Sequence, residues 1–210
     1  MPSLTVLVLG GTGPAGICPL RELLHRKHKV VAYARSPQNI PRDLIADPSL
    51  EIIKGDLSDE AALTKPWSRN SLFPAMLRRG VKRIFAMGTL SITQKQDSWT
   101  VLQPTVNLMV RTFFSNAYLA ITTIGKTFEI DAKDLDWSIF RILAIPGGSG
   151  RESWAKERQD EKSFVGYFGQ KGYTYSFPRG ALARWLDDAA ESGLQDWVRK
   201  APAVSKLSGS

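Results

Sequence analysis

The chain is poor in the residues that most often advertise chemistry. Its 210 residues include one cysteine, Cys18, and two histidines, His25 and His28. A lone cysteine forms no internal disulfide and fits a reducing compartment, so a cytoplasmic protein is expected. Both histidines fall at the end of the first predicted helix, where imidazole suits the carbonyl ends. No set of histidines and carboxylates recurs at metal-ligand spacing, so no metal is expected. No apolar run approaches the roughly 18 residues that cross a bilayer, and no membrane partner is expected. Met1 to Leu4 lacks the charged-then-apolar layout of a secretory leader, because Gly10 cuts the first apolar run short. Internal repeats and low-complexity segments are absent as well.

Acidic residues are outnumbered, 20 against 28 basic ones, which leaves a net charge of +8. The basic residues cluster at 21–29, 78–83 and 151–162. These clusters flank helix ends and loops without interleaved aromatics, so nucleic acid is not the expected partner. They read as a solvated surface, or as attraction for a polyanion as small as a dinucleotide phosphate.

What is present is an alternation of apolar runs and helical patterns, which indicates an α/β chain with a parallel sheet and crossover helices. Strands are expected at Leu4–Leu9, buried on both faces, and at Lys29–Ala34, Glu51–Ile53, Arg83–Met87 and Trp137–Ile142. A last short strand is expected at Gly172–Phe177. Helices are expected at Ala15–Arg26, with Leu20, Leu23 and Leu24 inward, at Ser71–Arg79, over much of 103–133, and at Gly180–Glu191. A single domain over 1–202 and a frayed tail over 203–210 complete the reading. One more absence stands out. Between Asp56 and Gly80 nothing reads as a buried strand, and Pro66 and Pro74 interrupt the segment. A six-stranded dinucleotide fold needs its fourth strand and helix about here, so one βα unit is expected to be missing or shortened near Thr64–Asn70.

The strongest local signal is Gly10-Gly11-Thr12-Gly13-Pro14-Ala15-Gly16. Gly10 permits the tight turn out of the strand, Gly13 clears a path for pyrophosphate, and Gly16 lets the helix approach the sheet. The helix start adds free N–H groups and a partial positive charge. The motif follows a strand and opens a helix, which is the context it requires. After the second strand stand Ala34-Arg35-Ser36, with no acidic residue for a ribose hydroxyl. Arg35 can pair with a 2′-phosphate and Ser36 can add a hydroxyl, which favours NADP(H) over NAD(H).

With these residues in hand, the chain resembles the atypical short-chain dehydrogenases/reductases of the NmrA-like, NAD(P)H-binding group, nearest to the fungal averufin-oxidase type. The resemblance rests on VLGGTGPAG, YARSP, IIKGDLSD, GVKRIFAMGTLSI, DLDWSIFRILAIPGG and SFPRGALARWL. It implies a Rossmann-like doubly wound sheet whose fourth strand lies beside the first. It further implies that Thr12, Gly13, Pro14 and Ala15 line the pyrophosphate and that Asp56 and Leu57 face the adenine. Gly88, Thr89 and Leu90 would leave their strand on the nicotinamide side, and Ile145 and Pro146 would pass the nicotinamide.

The catalytic pattern of that family, Tyr-x-x-x-Lys, is broken here. Lys126 occupies the family's lysine position, but four residues upstream stands Thr122, whose hydroxyl is a far weaker acid than a phenol. Tyr118 is eight residues from Lys126, about 12 Å along a helix and about 80° around it, so the two cannot form the usual couple. Tyr118 and Ser91 remain candidates for polarising a carbonyl, and Lys126 for touching the cofactor. The apolar wealth of Val101–Leu119 reads as core, as the wall of an apolar substrate pocket, or as a homodimer helix. Three functional readings follow. One is an NADPH-dependent oxidoreductase of a small apolar, polyketide-like secondary metabolite. The second is a non-catalytic NADP(H) sensor. The third is an inactive truncated member.

Overall fold

The computed structural model describes residues 3–55, 69–98, 115–160 and 162–209. The chain is α/β, as its apolar patterning indicates, and its described residues group into two compact units. The first comprises 1–75, 145–161 and 178–193, and the second 76–144, 162–177 and 194–210. The sequence reading drew one domain over 1–202. The long excursions that carry 145–161 and 178–193 back to the first unit leave no mark in local composition.

In the first unit β1 (Thr5–Leu9), β2 (Lys29–Ala34) and β3 (Leu50–Lys54) form a parallel sheet in that order. Successive strands joined through a helix lie parallel because the crossover returns the chain to the same end of the sheet. The helix α1 (Pro14–His25) makes the first crossover. Its Ile17, Leu20, Leu23 and Leu24 pack with Val30 and Ala32 of β2 and with Val6, Val8, Leu50 and Ile52. A single turn, α2 (Arg42–Ile45), adds Leu44 to this core. The expectation that β1 is buried on both faces is corrected. Val6, Leu7 and Val8 are half-buried and Leu9 is 39% exposed. Among the described residues β1 pairs with β2 alone. Helix α3 (Arg69–Arg78) follows, and most of the Thr64–Asn70 gap lies outside the described residues.

In the second unit β4 (Arg83–Gly88), β5 (Asp136–Arg141), β6 (Ser163–Gly166) and β7 (Ala203–Lys206) form a sheet ordered β4-β5-β7-β6. Helix α4 (Ser115–Asp131) belongs here, and its Phe128 meets Trp137 edge to face at 5.8 Å. Two expectations are corrected. The frayed tail is in part β7, whose Ala203, Val204 and Ser205 are buried between β5 and β6. The short strand expected at Gly172–Phe177 makes only one isolated bridge, Ser176 to Ala144. Thr174 spends its hydroxyl on the carbonyls of Ser176 and Lys206, and Gly172 turns the chain with φ +96°, so the ladder partner of β7 is β6.

The remaining helices, α5 (Arg151–Asp160) and α6 (Arg179–Ser192), return to the first unit and pack with α1. Leu182, Trp185 and Ala189 of α6 are buried, and Leu186 is half-buried. Gly193, with φ +75°, ends α6 in the left-handed region that glycine occupies without strain.

Candidate functional site

The glycine turn is built as its spacing predicts. Gly10 leaves β1 with φ +78°. A Cβ at Gly16 would collide with the Gly10 carbonyl oxygen, so no other residue fits where α1 crosses the strand exit. A Cβ at Gly13 would meet nothing within 4 Å, which leaves the space in front of the helix start clear. Gly13 caps α1 without a side chain, and Pro14 follows at the first helical position, where a missing N–H costs nothing. The N–H groups of Thr12 and Ala15 have no protein acceptor among the described residues. Uncommitted donors at the positive end of a helix, behind a side-chain-free approach, fit a dinucleotide pyrophosphate.

Arg35 follows β2 directly and is exposed, with no ion-pair partner among the described residues. Ser36 is half-buried and opens a single turn at Pro37–Asn39. At the end of β3, a Cβ at Gly55 would overlap the Tyr33 hydroxyl, so any larger residue there displaces the Tyr33 ring. Tyr33 is a residue that sequence reasoning passed over. Asp56 and Leu57, assigned to the adenine by resemblance, lie outside the described residues. Ile145 is half-buried and Pro146 exposed, and both belong to the same unit as the glycine turn. Their segment is tied to α1, with Arg21 donating to Ser149 O at 3.1 Å and the Cys18 thiol facing Gly148 O at 3.7 Å.

The basic residues of 21–29 are not merely a solvated surface. Arg21 is 7% exposed and pairs with Asp43. Glu22 is sealed from solvent and accepts from Arg26 (2.9 Å), Arg158 (2.9 Å) and Trp154 Nε1 (3.1 Å). Burial pushes its carboxyl up, but the bonds from Arg158 and Arg26 outweigh burial and hold it below the usual carboxylate range. Arg26 also reaches Asp188 at 2.7 Å and Glu191 at 3.0 Å. His28 Nε2 lies 3.1 Å from Asp187 and 3.3 Å from Glu191. This trio has the composition of a cation site. However, His28 Nδ1 accepts the Leu4 N–H at 3.1 Å, so the neutral ring presents an N–H at Nε2, not a lone pair. The group therefore reads as a close electrostatic contact between α6 and the start of β2, at 3.1 and 3.3 Å. Cys18 is fully buried, and burial with the nearby Glu157 charge raises its thiol to about 11. It is a packed side chain without thiolate character.

The other candidates lie in the second unit. Gly88 ends β4, and a Cβ there would press on Ile139 and Ile92. Thr89 Oγ1 accepts the Ser91 N–H at 3.3 Å, and Thr89 O accepts the Ile92 N–H at 3.1 Å, which folds this exit into a tight turn. Ser91 is 7% exposed and Leu90 is buried. Tyr118 and Lys126 both stand on α4, the tyrosine half-buried and the lysine exposed, in keeping with their different faces. A Cβ at Gly125, beside Lys126, would meet the Ile92 side chain at ordinary contact distance, so α4 lies near the exit turn of β4. Thr122 donates its hydroxyl to Tyr118 O at 2.9 Å, a bond within its own helix. The apolar segment Val101–Leu119 is outside the described residues up to 114.

Residues 10–70 match the NAD(P)H-binding family model. The chain is 43% identical over 65 residues to a chloroplastic divinyl chlorophyllide a 8-vinyl-reductase of Zea mays, a match covering 28% of this chain and 16% of that protein. A wide-type short-chain dehydrogenase/reductase of Veillonella parvula, solved in complex with NADP, superposes with a TM-score of 0.69. It shares 14% identity, with 98% of this chain and 95% of that one covered. A Rossmann-fold NAD(P)-binding family protein of Shigella flexneri gives a TM-score of 0.59 at 17% identity over 99% and 95% of the two chains. No described helix is long and apolar enough to cross a membrane. The chain thus has a Rossmann-like α/β fold, and residues 10–70 are the part of it that matches the NAD(P)H-binding model.

Proposed function

We propose that this protein is an NADPH-dependent oxidoreductase of the NmrA-like branch, acting on a small apolar carbonyl compound or enone. The observation that carries the reading is the glycine turn, with its uncommitted Thr12 and Ala15 N–H groups in front of the clear approach at Gly13. Gly10 and Gly16 hold that turn closed, and the exposed Arg35 supplies a cation for a 2′-phosphate. When bound, NADPH supplies a hydride to the substrate carbonyl carbon. Ser91 is assigned to the carbonyl oxygen as a hydrogen-bond donor, Tyr118 to the proton that completes the alcohol, and Lys126 to the nicotinamide ribose. An apolar substrate is supported by the sequence of 101–119, whose large apolar side chains exceed what one helix face buries. No binding partner beyond that substrate is proposed, apart from a second copy of the chain.

The test is NADPH oxidation in the presence of apolar carbonyl probes, phenanthrenequinone first. Turnover that Lys126→Ala abolishes, and that Tyr118→Phe lowers by about a hundredfold, is the expected result. A second reading, a non-catalytic NADP(H) sensor, is favoured by one observation: the residue in the family's acid position, Thr122, spends its hydroxyl on Tyr118 O. Tight NADPH binding without turnover of any probe would establish that reading.

A further inference from the structure

Arg141 ends β5 and is 0% exposed. Its guanidinium meets Asp97 through two bonds, Nη1 to Oδ2 at 2.7 Å and Nη2 to Oδ1 at 2.8 Å. Nη1 also donates to Ile92 O at 2.8 Å and Nε to Ala201 O at 2.6 Å, while the plane lies 4.4 Å from the Phe168 ring centroid. Asp97 completes its shell with the N–H groups of Gln94 (2.8 Å) and Phe168 (3.2 Å). A buried ion pair of this kind is no more stabilising than well-packed apolar residues, so its worth lies in the geometry it imposes. Four of these six bonds end on backbone, and five of the six involve one loop, 89–98.

The loop is gripped at two points, by Arg141 and by the residue that follows it. Gly88 pairs with Arg141 across the β4–β5 ladder, and its carbonyl accepts the Ile142 N–H at 3.1 Å. Ile92, four residues on, is held by Arg141 Nη1. Thr89, Leu90 and Ser91 are a three-residue bridge between these anchors. We infer that Arg141 and Asp97 are positioning residues, a buried clamp that sets the placement of Thr89 and Ser91 for the reaction. This rests on the oxidoreductase reading above and adds two residues to it that touch neither substrate nor cofactor.

The test compares wild type with Asp97→Asn, which keeps the shape but loses the charge, and Arg141→Lys, which keeps the charge but loses the fork. Each is first shown to melt cooperatively. Amide exchange is then followed over 88–98, and turnover of NADPH with phenanthrenequinone is measured. The expected result for both variants is exchange at 89–92 about tenfold faster, kcat lowered about tenfold or more, and the NADPH KM within about threefold of wild type. A general loss of structure would move KM and the whole exchange pattern together. Folded variants with wild-type kcat, or with unchanged exchange at 89–92, overturn the clamp. Wild-type protein that binds NADPH but turns over no probe overturns the oxidoreductase reading instead, and exchange at 89–92 then still decides whether the clamp exists.

Discussion

Glu22 in the first unit and Asp97 in the second are both carboxylates withdrawn from water and answered by arginine, yet they fasten different things. Glu22 is held by side chains from α1 and α5: Arg26, Arg158 and Trp154. Asp97 joins the Arg141 side chain to the backbone of Gln94 and Phe168. The first network fixes how helices pack, and a helix interface tolerates slight repacking. The second fixes the path of a loop, where a small shift moves every side chain on it. Burying charge is expensive in both places. The return is architecture in one case and placement in the other.

Removing Glu22 should produce the largest effect on stability. Glu22→Ala leaves Arg26 and Arg158 without their shared acceptor and is expected to cost about 3–5 kcal/mol, read by denaturant unfolding. Exchange at 89–92 should not change beyond that global loss, because Glu22 makes no bond to that loop. A selective loosening of 89–92 in this variant would break the comparison. Gly16→Val attacks the grip directly. Its Cβ collides with Gly10 O, so the turn must open at a cost of about 1–3 kcal/mol, and NADPH binding should disappear. Calorimetry beside a melting curve separates the two consequences.

A smaller effect is expected from pH. Burial raises the Asp187 carboxyl to about 6, with Glu191 and Glu22 adding repulsion and Arg26 opposing. A carboxyl whose pKa is higher in the folded state binds its proton more tightly there than in the unfolded chain, where the value is near 3.8. Its stabilising contribution is therefore full below pH ~4, declines as pH rises, and is lost above pH ~6. Asp187→Asn should flatten this part of a stability–pH curve, and a curve of the same slope in the variant would remove Asp187 from the account. The smallest expected effect is at Cys18. With its thiol raised to about 11 and fully buried, it should resist a thiol reagent at pH 8 until the protein is unfolded. Labelling of the folded protein would contradict that packing.

How much of this was legible in the sequence differs between the two units for a physical reason. The glycine turn, α1, β2 and the Arg35 switch were readable because each is specified within a few consecutive residues. A turn that needs φ > 0 and a helix that needs an apolar stripe leave local marks. The two carboxylate networks were not readable, because their partners lie far apart in the chain: Glu22 meets Arg158, and Asp97 meets Arg141 and Phe168. Residues 203–206 looked like a tail because AVSK is too short to carry an alternation pattern, and only pairing with β5 and β6 makes it a strand. The half-exposure of β1 was missed because the residues after Thr5 are all apolar, and composition does not record how fully a strand is covered.

The central claim is that the first unit holds NADPH and selects it over NADH through Arg35. Calorimetric titration of the wild-type protein and Arg35→Ala with both nucleotides tests it most directly. The account predicts that NADPH binds the wild type at least about tenfold more tightly than NADH, a difference of about 1.4 kcal/mol, and that Arg35→Ala erases this preference without weakening NADH. Equal affinity for the two nucleotides in the wild type, or binding of neither, would contradict it.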